Sequence, residues 1–194
     1  MNSLIFATNN QHKVDEVKLV LGDRFHLVSL SEAGINIDIP EPHSTLEANA
    51  KGKSTTIYSL TGKSCFSEDT GLEVDALNGE PGVKSARYAG EVQSFEANVE
   101  KLLLNMAGKE NRGARFRTVI SLIINGKEEQ FEGICEGKIT YKPLGLNGFG
   151  YDPIFIPDGS SRTFAEMDAN EKSNFSHRRK AMDKLIAFLQ QTSL

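Results

Sequence analysis

Four stretches of the chain repeat apolar residues at helical spacing, and short apolar runs lie between them. Val14, Val17 and Leu21 share one helical face. Ser44-Thr45-Leu46-Glu47 has the form of a capping box and opens a second helix that turns Leu46, Ala50 and Ile57 inward. Phe95, Val99, Leu102, Leu103 and Met106 form a third stripe, and Phe175, Met182, Leu185, Ile186 and Leu189 a fourth. Residues 4–7, 25–29 and 64–67 read as short strands. Leu72, Val74 and Ala76 alternate with Glu73 and Asp75, as in a half-exposed strand. Residues 114–124 run into Asn125-Gly126, a hairpin signal, and a return strand follows over 128–135 and on toward Thr140. A strand–helix–strand unit beside a long hairpin predicts an α/β fold, a mixed twisted sheet flanked by helices, with residues 1–194 as one domain.

Composition changes this picture little and closes several doors. The 194 residues are 39% hydrophobic and 25% charged, ordinary for a globular chain. A formal net charge of −4 offers no overall basic field for a duplex, so no nucleic-acid partner is expected. Cys65 and Cys135 stand apart in apolar runs, which predicts small buried thiols rather than a disulfide or a zinc site. Met1-Asn2-Ser3 leads straight into the first strand without a basic leader, and no run is long and apolar enough to span a bilayer. The expected compartment is the cytoplasm, with no membrane partner.

Candidate chemistry lies in four segments. Ala7-Thr8-Asn9-Asn10-Gln11-His12-Lys13 joins a strand to a helix N-terminus, where free backbone N–H groups favour an anion and Lys13 can reach a phosphate. By itself the segment reads better as a helix cap and turn. Ser67-Glu68-Asp69-Thr70-Gly71 lies between two strand candidates. Adjacent acids at a strand end before a turn-permitting Gly suit magnesium, although a solvated acidic turn has the same look. Glu41, between Pro40 and Pro42, is a second candidate ligand, and Glu47 a weaker one because the capping box already accounts for it. Asn147-Gly148-Phe149-Gly150-Tyr151-Asp152-Pro153 packs two glycines, two aromatics and an acid into a short loop, and Phe149 or Tyr151 is placed to stack on a base. In the fourth segment, Ser173 or Asn174 is expected to cap the last helix. Lys172 then precedes it, and His177 and Arg178 fall in its first turn. Cations there oppose the helix dipole unless an anion sits nearby. Arg179, Lys180 and Lys184 face solvent in this reading, and a basic helix face alone is usually just solvated.

Gly52-Lys53-Ser54 and Gly62-Lys63-Ser64 resemble the end of a P-loop, but Glu47 and Ile57 stand where its first Gly belongs. The four histidines, His12, His26, His43 and His177, lack metal-ligand spacing, and no Gly-x-Gly-x-x-Gly occurs.

Taken in order, these segments closely resemble the inosine triphosphate pyrophosphatase family, also called the non-canonical purine NTP pyrophosphatases. The resemblance covers nearly the whole chain. Its most specific part runs from Ser67-Glu68-Asp69-Thr70-Gly71 through Leu72-Glu73-Val74-Asp75-Ala76-Leu77-Asn78-Gly79-Glu80-Pro81-Gly82 to Val83-Lys84-Ser85-Ala86-Arg87-Tyr88-Ala89-Gly90. Gly148 to Pro153 and Ser176-His177-Arg178 match as well. The resemblance implies an elongated fold with a nucleotide cleft between two lobes, a homodimer, and hydrolysis between the α- and β-phosphates of ITP, dITP or XTP. By position, it implies that Thr8, Asn9, Asn10, Gln11, His12 and Lys13 line the phosphate side. Glu41 and Asp69 would hold Mg2+, with Asp69 the catalytic acceptor of the attacking water's proton. Thr70, Phe149, Gly150, Tyr151, Asp152, Lys172, His177 and Arg178 would contact the small-molecule triphosphate. Of these, Asp152, His177 and Arg178 are our own candidates for selecting a 6-keto base. Two positions depart from the family: Asn9 replaces its usual Gly and Thr70 its usual Ser. Asn at position 9 narrows the phosphate loop or requires a particular backbone conformation, which Asn tolerates at positive φ better than most residues. Two other readings stay open: a purine-nucleotide sensor without turnover, and a phosphohydrolase acting on pyrimidine or modified nucleotides.

Overall fold

The computed structural model describes residues 3–21 and 25–191; Met1 and Asn2 lie outside the described residues. In chain order the elements are β1 (Ser3–Phe6), α1 (Gln11–Leu21), β2 (His26–Ser29), α2 (Leu46–Thr61), β3 (Cys65–Val74), β4 (Pro81–Gly82), α3 (Phe95–Asn105), β5 (Gly113–Ile124), β6 (Lys127–Ile139), β7 (Phe155–Pro157), α4 (Ala169–Phe175) and α5 (His177–Gln191). The strands form one sheet in the order β2-β1-β3-β5-β6-β7, with β4 paired to β3. β1 runs parallel to β2 and β3, whereas β3–β4 and β6–β7 are antiparallel, so the sheet is mixed, as expected. Asn125 and Gly126, both at positive φ, turn β5 into β6. Among the described residues no helix is long and apolar enough to cross a membrane.

The chain folds as two compact units. The first comprises residues 1–69, 118–133 and 178–194, the second residues 70–117 and 134–177. In the first unit the period-two alternation of strands sorts side chains to two faces. Leu4 and Phe6 of β1, with Ile120, Leu122 and Ile124 of β5, pack against Val14, Val17 and Leu21 of α1 and Met182, Leu185, Ile186 and Leu189 of α5. Ile5, Cys65 and Ile123 pack on the other face with Ile57 of α2. Phe6 and Phe66 stack in the first of these layers with centroids 4.5 Å apart. The second unit has its own core of Leu72, Val74, Val99, Leu102, Met106, Phe116, Ile139, Tyr151, Ile154, Phe155 and Phe164. Cys65 and Cys135 are buried thiols, as expected.

Three local expectations change. β3 runs unbroken from Cys65 to Val74, so Glu68, Asp69, Thr70 and Gly71 are strand residues and not a turn, and Ala76 belongs to a short 3-10 turn after it. Gly71 serves close approach: a Cβ there would stand 2.6 Å from the Gly82 carbonyl oxygen of the neighbouring strand. The capping box at Ser44 and Glu47 does not form, because Thr45 caps α2 by accepting from the Ala48 N–H. The fourth stripe breaks in two at Ser176. Ser173 and Asn174 lie inside α4, which Asp168 and Glu171 cap reciprocally, and α5 starts at His177. Lys172 is therefore an α4 residue.

Candidate active site

Strand geometry separates the two adjacent acids of β3. Successive strand side chains point to opposite faces. Glu68 follows Phe66 to the α1–α5 face, and Asp69 follows Cys65 and Ser67 to the α2 face. The two carboxylates, neighbours in sequence, meet different partners.

Glu68 is fully buried and ion-paired to Arg178, whose Nε and Nη2 donate to it at 2.7–3.0 Å, and to Lys13 Nζ at 3.2 Å. Burial alone would raise this carboxyl, but Arg178 and Lys13 outweigh it and pull it down to about 2. Arg178 is 2% exposed and also donates to Glu16 of α1. In this structure the Arg178 guanidinium, expected to meet substrate, is turned to Glu68 and Glu16. Nε, Nη1 and Nη2 are engaged by carboxylates, as a buried guanidinium requires to offset its desolvation.

Asp69 meets Lys53 of α2. The Lys53 ammonium lies 3.2 Å from Asp69 Oδ1 and donates as well to Glu41, in the loop before α2. The predicted metal ligands Glu41 and Asp69 are thus brought together by one buried cation. Burial lowers the affinity of Lys53 for its proton, yet Asp69 and Glu41 more than restore it, so the amine is held charged. Burial likewise raises the Asp69 carboxyl above the usual range, against the pull of Lys53 and Lys13. Asp69 Oδ2 is buried and has no hydrogen-bond partner. Such an orphaned oxygen costs free energy in the folded state.

At the end of β1, Thr8, Asn9 and Asn10 lead into α1. Thr8 Oγ1 accepts from the Asn10 N–H, Asn10 Oδ1 accepts from the Lys13 N–H at 3.3 Å, and Asn9 Nδ2 donates to the Ile37 carbonyl at 2.9 Å. Asn10 is therefore the cap. Asn9 is not among the positive-φ residues, so it fits without the special backbone that the family's Gly suggested. Gln11 bonds Asp15 on the exposed face of α1, and His12 is exposed beside it. Of this segment, Lys13 reaches the carboxylates.

The second unit holds its own charged group. Asp152 Oδ2 accepts from Lys172 Nζ at 2.7 Å and from the Phe149 N–H at 2.9 Å. A Cβ on Gly148 would fall 2.0 Å from that same oxygen, which makes glycine obligatory there. Lys172 Nζ sits 4.9 Å from the half-buried Phe149 ring, a cation–π distance. His177 is buried and stacks on Phe116 with centroids 4.7 Å apart. Gly150 turns the loop at positive φ, and Thr70 is a half-buried residue of β3. Tyr151 does not suit a stacking role. Its ring lies in the core at 4% exposure, and its hydroxyl donates to the Ser85 carbonyl at 2.9 Å. Phe149 is left as the aromatic of that loop able to face a base.

Sequence reasoning missed Lys53 and Glu16, and it offered Glu68 to a metal where the structure pairs it with Arg178 and Lys13. Lys53 had a signal beyond its false P-loop: it sits on the helical stripe of Leu46, Ala50 and Ile57, where a lysine must find a counter-charge. The unbroken strand over 65–74 is what separates Glu68 from Asp69, since neighbours in a strand point to opposite faces. Glu16 carried no local signal, since its partner Arg178 is 162 residues away.

The profile of the Ham1 family matches residues 4–188. A Flavobacterium psychrophilum protein named dITP/XTP pyrophosphatase is 48% identical over 187 residues, covering 96% of this chain and 98% of its own. A Bacillus licheniformis protein of the same name is 46% identical over 98% of this chain and all of its own. The solved structure of the Staphylococcus aureus Ham1 protein superposes with a TM-score of 0.89 at 40% identity, covering 99% of this chain and 100% of that one. With a family profile and full-length relatives agreeing on the same residues, the chain belongs to the Ham1 family.

Proposed function

We propose that the chain hydrolyses non-canonical purine nucleoside triphosphates (ITP, dITP and XTP) between the α- and β-phosphates, with Mg2+, and so clears them from the nucleotide pool. The products are a nucleoside monophosphate and pyrophosphate. The names of the relatives, dITP/XTP pyrophosphatase, support this substrate class.

Asp69 carries the chemical side of the reading. One of its oxygens rests on Lys53, which also holds Glu41, and the other is buried without a hydrogen-bond partner. Two hard carboxylates with an open oxygen suit magnesium, which prefers one or two such ligands and takes the rest from phosphate and water. Among the described residues no group of three or more His, Cys, Asp or Glu is placed to hold a metal. Glu41 and Asp69 would hold the cation, which would supply neutralisation of charge on the triphosphate. Asp69 accepts the proton of the attacking water, and its raised proton affinity improves it as a base. Lys13 and Lys53 supply fixed positive charge for the pyrophosphate that leaves. Arg178 and Glu16 hold Glu68, and Glu68 aims Lys13.

Base selection is assigned to the second unit's Asp152, Lys172, Phe149 and His177. A 6-keto purine presents O6 as an acceptor next to N1–H as a donor. A buried ammonium beside a carboxylate offers the matching donor and acceptor. A 6-amino purine presents the reverse order, and a locked ion pair cannot exchange places to meet it, so the mismatch leaves groups unpaired. Phe149 supplies the stacking face. Residues 1–194 act as one domain in this reading. The active form is a cytoplasmic homodimer with a small-molecule substrate and no nucleic-acid or membrane partner.

The deciding experiment measures pyrophosphate release over a panel of ITP, dITP, XTP, ATP, GTP and pyrimidine triphosphates, with and without EDTA. Turnover of the 6-keto substrates that EDTA abolishes supports the proposal. Absence of turnover on every nucleotide would return the chain to a sensor.

A further inference from the structure

The middle turn of α2 is tied to the sheet by polar contacts inside the first unit. Ser67 Oγ donates to the Ala50 carbonyl, Cys65 Sγ to the Ser54 carbonyl at 3.3 Å, and Ser54 Oγ lies 2.8 Å from Ser121 Oγ on β5. Ser54, Ser67 and Ser121 are all 0% exposed, among apolar neighbours. Buried hydroxyls in such surroundings are costly unless bonded, so each contact restrains the helix.

The direction of the chain follows from counting protons. Glu128 Oε1 lies 3.0 Å from Ser121 Oγ, and an ionised carboxylate only accepts. Ser121 therefore donates to Glu128, which leaves Ser121 Oγ as the acceptor toward Ser54, whose one proton is shared between Ser121 at 2.8 Å and the Lys51 carbonyl at 3.0 Å. Burial pushes the Glu128 carboxyl up, but hydrogen bonds from Lys51, Gln130 and Ser121 outweigh it and keep it below its ordinary value. The chain of hydroxyls ends on a charge that Lys51 holds at 2.7 Å.

Lys53 is the residue immediately before Ser54. Apolar packing around Ile57 sets the depth of α2 on the sheet but is non-directional, so it tolerates sliding and rotation. Directional contacts near 2.8 Å do not. A shift of one ångström at Lys53 would break the 3.2 Å contact to Asp69. The geometry points to Ser121 and Glu128 as positioning residues that hold the α2 turn and keep the Lys53 ammonium on Asp69 and Glu41. Neither side chain is bonded to Asp69, and their effect passes through Ser54. The inference rests on the reading of Lys53 and Asp69 as hydrolytic machinery.

The test uses the full chain. Ser121→Ala lowers kcat on ITP about fivefold with KM unchanged, the scale of one buried neutral hydrogen bond. Glu128→Ala repeats the loss, whereas Glu128→Gln, which keeps an oxygen to accept from Ser121, retains most of the turnover. In a Lys53→Met background, Ser121→Ala costs nothing further, because the residue it positions is gone. A merely structural serine would cost the same in both backgrounds, and that result overturns the inference. A second readout needs no turnover: acetic anhydride labelling of Lys53, followed by mass spectrometry against exposed Lys63, rises severalfold in Ser121→Ala. Unchanged kcat together with unchanged Lys53 labelling overturns the inference as well. If the wild-type chain hydrolyses no triphosphate yet the labelling rises, the hydrolase reading fails and the positioning stands.

Discussion

Lys53 Nζ lies 3.2 Å from Asp69 Oδ1 and donates at the same time to Glu41, so one ammonium on α2 joins a strand carboxylate to a loop carboxylate. Removing the central cation leaves two acids facing each other. Breaking a buried pair from one side costs roughly 3–5 kcal/mol. Lys53→Met should unfold at lower temperature than wild type in EDTA, and added magnesium should return part of the loss by binding the folded form. A variant whose melting temperature ignores magnesium removes Glu41 and Asp69 as metal ligands.

Asp69→Asn keeps the shape and loses the base. Pyrophosphate release from ITP should drop roughly a hundredfold to ten-thousandfold. Near-normal turnover would take Asp69 out of the mechanism.

Glu68 predicts a pH dependence. Its carboxyl titrates at 4.5 when unperturbed and is pulled to about 2 in the fold, so the folded state prefers it ionised. The stability this contributes is complete above about pH 4.5 and is lost as pH falls toward 2. Urea unfolding of Glu68→Gln should show a flatter pH dependence across that window. It should also show lower stability at neutral pH, where Arg178 is left buried beside a neutral amide. An unchanged slope would mean that Glu68 is not the group responsible.

Phe149 and Tyr151 should separate cleanly. Phe149→Ala removes a stacking face worth ~1–3 kcal/mol and should raise KM with kcat largely kept. Tyr151→Phe removes the hydroxyl that bonds Ser85, which should cost about 1 kcal/mol of stability and leave KM alone. The reverse pattern would exchange their roles.

Elements with a strong local period were legible without the structure. The stripe of Val14, Val17 and Leu21 and the Asn125-Gly126 hairpin appear where the pattern puts them. The error at 67–71 came from reading polar residues as a turn. A strand buried on both faces can carry acids when each has a cation waiting, and those cations come from residues 13, 53 and 178, too distant in sequence for a local pattern to reveal. Tyr151 misled for a related reason: an aromatic in a Gly-rich loop looks available until a core claims it. The ends of α4 and α5 were obscured because one apolar stripe spans two helices whose break is a single serine.

The unbroken β3 has a consequence for how such a protein can change. A carboxylate on a loop drifts with every insertion or exchange around it, whereas Asp69 takes its aim from a backbone flanked by β1, β4 and β5. Under the proposed roles, variation in the segment from 147 to 153 would retune which base is accepted while Asp69 stays where the sheet puts it. New substrate preferences would then be open to this scaffold by loop replacement, without rebuilding its chemistry.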